Sequence, residues 1–256
     1  MCLLVLALDA HPRYRLVVAA NRDEFHRRPS APADFWPERP ELVAGRDLEA
    51  GGTWLGLTRG GRFAALTNFR EPGRHRPGAP SRGALAAEFL QGSSPPLAFL
   101  AELRGQARDY NGFSLVVGDR DALAYLSNRG PGPLALAPGV HGLSNHLLDT
   151  PWPKVERSRA RLAALLSGRK VDPEELLELL SDRTVAPDAE LPSTGLPLEL
   201  ERRLSPPMVV APDYGTRCST AVLVGRDDRV RLVEQSFGPN GEPTEERDFA
   251  FGLAEA

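Results

Sequence analysis

Four times along this 256-residue chain, two apolar runs face each other across a short polar turn, and nothing else in the sequence restricts the fold as much. Residues 3–8 and 15–20 flank Asp9-Ala10-His11-Pro12-Arg13, and residues 53–58 and 62–68 flank Arg59-Gly60-Gly61. Residues 113–117 and 122–127 flank Gly118-Asp119-Arg120-Asp121, and residues 218–224 and 230–236 flank Gly225-Arg226-Asp227-Asp228. Each pair reads as a β-hairpin. Several of the runs are apolar almost throughout, which implies strands covered on both faces. Helical patterns fall between the hairpins, at 81–90, 96–109, 154–167 and 172–180. Ser94 is expected to cap the second of these helices, with Pro96 tolerated in its first turn. Asp172, Pro173, Glu174 and Glu175 make a strong start for the last. Residues 183–207, rich in Pro and acidic side chains, are expected to form a long surface excursion. With no repeat and no composition break, the chain reads as a single domain over 1–256. The expected class is α+β, with antiparallel sheets covered by helices.

A net charge of −3 gives no electrostatic case for nucleic acid or for a membrane surface. Nearly all basic residues are Arg, only Lys154 and Lys170 being Lys, so an isolated Arg motif carries little weight. Two cysteines, Cys2 and Cys218, make no disulfide framework in a chain this long and fit a reducing compartment. Residues 2–8 are too short to span a bilayer and end at Asp9, so no membrane insertion is expected and a cytoplasmic location is.

The chemistry starts at Cys2. Methionine aminopeptidases remove Met1 before a small second residue, and Cys is small enough. The processed chain would carry a thiol titrating near ~8.5 and an α-amine near ~8 on one residue, so that the amine can act as base for the thiol. The alternative is a small buried hydrophobe at the start of a core strand. The second strand runs into Asn21-Arg22-Asp23-Glu24, and hairpin geometry returns Arg22 and Asp23 towards Cys2. A guanidinium near a thiol favours the thiolate, and a carboxylate can orient an amine; the alternative is a solvated charged turn. Three further polar sites end apolar stretches: Leu66-Thr67-Asn68, Gly142-Leu143-Ser144-Asn145-His146, and Tyr214-Gly215-Thr216-Arg217-Cys218-Ser219-Thr220. An Asn there can donate to a developing oxyanion or simply cap a turn.

The Met1-Cys2 start, the Asn-Arg-Asp-Glu tetrapeptide at 21–24, the segment Gly52-Thr53-Trp54-Leu55-Gly56 and the three polar sites, in this order, resemble the NRDE family, that of transport and Golgi organisation protein 2. The family is similar to cysteine-type N-terminal nucleophile hydrolases, the branch of bile-salt hydrolases and penicillin acylases. The resemblance implies a four-layer αββα sandwich. It also implies Cys2 as nucleophile and, through its amine, base, flanked by Arg22 and Asp23. Asn68 and Asn145 would then be oxyanion donors, and Arg217 a late site arginine. His26, His141 and His146 have no part in such a mechanism and read as surface or turn residues. Cys218 reads as a buried small residue, and no metal-ligand spacing is present. The expected activity is hydrolysis of a non-peptide C–N amide bond in a small-molecule substrate without a cofactor. The alternative is a non-catalytic carrier that binds haem, or an acyl metabolite, with Cys2 as an axial thiolate. The loops 25–50, 70–82 and 183–207 are expected to shape the ligand pocket.

Overall fold

The computed structural model describes residues 3–254. In chain order the elements are β1 (Leu3–Leu8), β2 (Tyr14–Phe25), β3 (Ser30–Trp36), β4 (Arg39–Asp47), β5 (Leu55–Thr58) and β6 (Phe63–Asn68). Helices α1 (Arg82–Gln91) and α2 (Pro96–Gln106) follow, then β7 (Phe113–Gly118), β8 (Leu123–Ser127), β9 (Leu134–Ala135) and β10 (Gly139–Leu143). The chain continues through α3 (Pro153–Leu166), α4 (Pro173–Leu180) and α5 (Leu198–Arg203) to β11 (Tyr214–Gly225), β12 (Arg229–Phe237) and β13 (Pro243–Gly252). Contacts group these elements into two compact units, the first of Met1–Arg27, Pro138–Ser144 and Leu148–Ala250, the second of Arg28–Ala137, Asn145–Leu147 and Phe251–Ala256.

The first unit is built on a six-stranded sheet of order β10-β1-β2-β11-β12-β13. One face carries α3 and α4. Leu3, Val5, Val17, Ala19, Ala221 and Leu223 meet Val155, Leu162, Leu176 and Leu179 there in one apolar cluster. The alternate residues Leu4, Leu6, Val18, Ala20, Val222 and Leu232 are also at most 1–2 % exposed, so the strands are buried on both sides, as their unbroken apolar runs require. Each such Leu or Val removed from water contributes about 1.5–3 kcal/mol before chain entropy is counted. Helix α4 shows the periodic logic in eight residues. Leu176, Leu179 and Leu180 face the core, Glu174 and Glu175 occupy the first turn, and the Asp172 N–H donates to Glu175 Oε2 at 3.2 Å.

The second unit is a seven-stranded antiparallel meander, β3 through β9 in sequence order. Helices α1 and α2 cover it through Leu85, Phe89, Leu100 and Leu103, against Leu66, Phe113, Leu115, Val117 and Leu126. The α+β class and all four expected hairpins are present, each sheet bearing its own helix pair.

Several expectations are corrected. The segment 21–24 is not a solvated turn past the 15–20 run: β2 runs on to Phe25, because β11 is equally long and pairs with it throughout. The stretch read as a 25–50 loop holds the hairpin β3–β4, whose Pro32 sits on an edge strand where a missing N–H costs no ladder bond. Helix α2 is preceded at its N-cap by Pro95, with no side-chain cap, in place of Ser94. Residues 183–207 are not simply a surface excursion. They hold α5, whose Glu201 is buried, and Ser205 Oγ accepts the Ala186 N–H at 3.0 Å. No described helix is long and apolar enough to cross a membrane.

Candidate functional site

Register fixes where the tetrapeptide lies. Leu3 of β1 pairs with Asn21 of β2, so Arg22 and Asp23 are the next two residues along β2 past the partner of Leu3. Cys2, the expected nucleophile, lies outside the described residues. On its other side β2 pairs with β11: Asn21 with Ser219, Arg22 with Cys218, Asp23 with Thr216 and Glu24 with Gly215. Asn21, Arg22 and Asp23 are all buried, at 0, 4 and 3 % exposure.

Because a strand alternates, neighbouring members of the tetrapeptide face opposite ways. Asn21 lies on the helix-bearing face, the face of Val17 and Ala19. Its Nδ2 donates to the carbonyls of Leu180 and Pro207, both at 2.9 Å, and its Oδ1 accepts from Ser219 Oγ at 2.6 Å. Asn21 therefore ties β2 to the end of α4 and to the segment entering β11. Asp23 Oδ1 accepts from Thr216 Oγ1 at 2.7 Å, and the same hydroxyl accepts the Val209 N–H at 2.9 Å. Thr216 N–H donates in turn to the Val209 carbonyl at 2.8 Å. This close approach demands glycine next door, since a Cβ on Gly215 would stand 2.8 Å from the Val209 oxygen.

Arg22 occupies the other face. There it joins Cys218 and Thr220 of β11 and Glu234 of β12, the register partner of Thr220. Thr220 Oγ1 donates to Glu234 Oε2 at 3.0 Å, and Glu234 is 1 % exposed. Burial pushes the Cys218 thiol well above the usual range, the Glu234 carboxylate adds to this, and the Arg22 guanidinium opposes it. Cys218 is thus a protonated, buried thiol, as expected for a small core residue. Glu234 was not singled out by the sequence reading. Its signal is a lone carboxylate in Leu232-Val233-Glu234, a strand segment otherwise buried and apolar.

Arg217 is placed by a β-bulge. The register with β2 slips between Thr216 and Cys218, leaving Arg217 as the extra residue. Bulges turn a side chain out of the regular pleat and are common beside functional sites. Arg217 Nη1 donates to the carbonyls of Phe25 and His26, at 3.1 and 3.2 Å. Burial, and then the like charge of Arg22, hold its guanidinium below the usual value. The strand end thus gathers Arg22, Asp23 and Arg217. His26 Nε2 donates to the Ala211 carbonyl at 3.0 Å and His141 Nδ1 meets Asp149 at 2.9 Å, so both have local structural partners.

Asn68 and Asn145 come together in the second unit. Asn145 Nδ2 donates to the Asn68 carbonyl at 3.0 Å, and the Arg70 N–H donates to the Asn145 carbonyl at 2.7 Å. The His146 ring lies on Phe69, centroids 4.8 Å apart, and its carbonyl accepts from Ser114 Oγ at 3.0 Å. Burial lowers the His146 pKa and favours the neutral ring. One N–H of Asn145 is therefore spent in holding the end of β6. In the same unit the motif glycine Gly52 passes so near α1 that a Cβ would stand 2.3 Å from the Gly83 backbone carbon. Among the described residues no group of three or more His, Cys, Asp or Glu side chains could hold a metal ion.

Comparison with known proteins follows the same motifs. The transport and Golgi organisation 2 family profile matches residues 1–239. The Bos taurus transport and Golgi organization protein 2 homolog is 38% identical, over 93% of this chain and 93% of its own. The Homo sapiens homolog is 37% identical over the same shares, and the Drosophila melanogaster transport and Golgi organization protein 2 is 27% identical over 99% and 100%. Among solved structures, a Caenorhabditis elegans N-acylethanolamine-hydrolyzing acid amidase ortholog aligns with a TM-score of 0.48 and 12% identity, covering 87% of this chain and 92% of that one. With a family profile spanning almost the whole sequence and vertebrate relatives matched nearly end to end, the chain belongs to the transport and Golgi organisation 2 family.

Proposed function

We propose that this protein is a cysteine amidohydrolase that cleaves a linear, non-peptide C–N amide bond through Cys2 once Met1 has been removed. The observation that carries the reading is the pairing of Leu3 with Asn21. It puts a buried arginine, Arg22, one residue past the partner of Leu3, the residue covalently joined to Cys2. A guanidinium in a dry setting favours a thiolate strongly, because the opposing dielectric of water is reduced. In the reaction the α-amine takes the thiol proton and the sulfur bonds to the carbonyl carbon. The C–N bond then breaks, and the amine leaves with the proton held by the α-ammonium. Water next adds to the thioester carbonyl, releasing the carboxylic acid and restoring the thiol. Arg22 supports the thiolate, while Asp23, held by Thr216, and Arg217, held by two carbonyls, fix the end of the ladder around it.

The test starts with intact mass, which reports whether Met1 is lost. An electrophilic amide probe should then label Cys2, and Cys2→Ala should abolish labelling while leaving the fold unchanged by circular dichroism. Arg22→Met should slow amine release by about 100-fold or more. Persistence of labelling in Cys2→Ala, or retention of Met1, would overturn the reading. A thiolate-type Soret band on haem titration, lost in Cys2→Ala, would favour the carrier in its place.

A further inference from the structure

Glu234 has no part in the chemistry above, yet it is the most deeply buried carboxylate of the first unit, at 1 % exposure. A carboxylate in that setting loses its hydration, and an apolar side chain would fill the position at lower cost. Its surroundings are specific. Register puts Arg22, Cys218, Thr220 and Glu234 on one face of three adjacent strands, the face turned away from α3 and α4. Glu234 stands two strands over from Arg22 and two residues along, about 10 Å and about 7 Å between backbones, a span that long Arg and Glu side chains can close. Between them lies Cys218, whose thiol feels both groups with opposite sign. Thr220 Oγ1 anchors one carboxylate oxygen at 3.0 Å.

We propose that Glu234 is a positioning residue of the β2 site: its buried carboxylate, aimed by Thr220, is the counter-charge that holds the Arg22 side chain on this face of the sheet. This rests on the amidohydrolase reading only in giving Arg22 a purpose; the arrangement itself is independent of turnover. The group acts through Arg22 and touches no substrate. Among the described residues the other charged groups at this strand end are Asp23, on the helix-bearing face, and Glu24 and Arg217 near the bulge.

The experiment is the pH dependence of Cys2 alkylation by iodoacetamide, read by peptide mass spectrometry so that buried Cys218 is counted separately. Removing a negative charge would by itself lower the apparent pKa of a nearby thiol. If Glu234 positions Arg22, Glu234→Gln instead releases the guanidinium, and the Cys2 profile moves up by at least half a pH unit. Thr220→Val, which keeps the carboxylate but removes its anchor, should move it the same way by less, and remains informative if Glu234→Gln does not fold. In an Arg22→Gln background neither substitution should raise the profile, and Glu234→Gln should leave at most the downward shift of the lost charge. With Arg22 present, a downward shift or an unchanged profile would overturn the proposal, as would an equal upward shift without Arg22. Failure of the amidohydrolase reading shows differently, as absence of amine release from wild type whatever the alkylation profiles do.

Discussion

Asn21 uses both amide hydrogens and its carbonyl oxygen on three partners drawn from three separate parts of the chain. Asn21→Ala would leave two buried carbonyls and a buried hydroxyl without these bonds. The expected cost is about 2–4 kcal/mol, read as a lowered urea midpoint with little change in slope. Asn21→Asp, which keeps the shape but removes both donors, should cost at least as much. The tetrapeptide therefore divides its labour. Asn21 and Asp23 hold structure on the helix side, and Arg22 is delivered to the other face. That division was partly legible in the sequence, since period-2 alternation separates the three residues. Their burial was not legible. Four consecutive polar residues resemble a strand end, and only the matching length of β11 shows that they are covered.

At the level of elements, the bulge at Arg217 is what takes this side chain out of the regular pleat of β11. Thr216 pairs with Asp23 and Cys218 with Arg22, so deleting residue 217 would remove the extra residue and leave a regular ladder with Thr216 still opposite Asp23. Deletion is expected to cost about 1–3 kcal/mol, as the bulged backbone straightens and the Arg217 bonds to Phe25 and His26 are lost. Arg217→Ala, which keeps the extra backbone residue, should cost about 1 kcal/mol or less; calorimetry of the two variants separates the bulge from the side chain. The sequence carried no sign of this bulge, because an inserted residue leaves the apolar run of 221–224 intact. The four apolar hairpins were legible for the opposite reason: both of their faces are buried, and hydrophobic runs between polar turns announce that directly. Strands β3 and β10 were hidden by Pro32 and by Gly139 and Gly142, residues that propensity alone assigns to loops.

The whole molecule interleaves its two units along the chain, with Asn145–Leu147 counted in one and the residues on either side in the other. No composition change marks those crossings, which is why a single 1–256 domain was the natural reading. The molecule's response to acid is set by carboxylates such as Glu71. Burial tends to raise its pKa, but both Arg129 contacts, at 2.6 and 2.8 Å, and the Gly112 N–H at 3.0 Å outweigh this and lower it. A lowered folded pKa means that the stabilisation is complete above the unfolded value near 4.5 and is lost as pH falls through the folded value. Wild type should therefore exceed Glu71→Gln by about 1–2 kcal/mol at pH 7, with the gap closing below pH 4 in urea titrations. A gap that persists in acid would assign the effect to packing.

Sheets that end must end somewhere, and here the last strand of the six-stranded sheet is β13, with Glu245, Glu246, Arg247 and Asp248 along it and most of its residues exposed. An open row of backbone donors and acceptors invites another chain to add itself, and like-charged strands approaching edge to edge would repel. Charge on this margin thus governs how concentrated the protein can become before it self-associates. Replacing Glu246 and Asp248 with Thr should leave the urea midpoint almost unmoved while light scattering rises at lower protein concentration, so that β13 protects the colloid more than the fold.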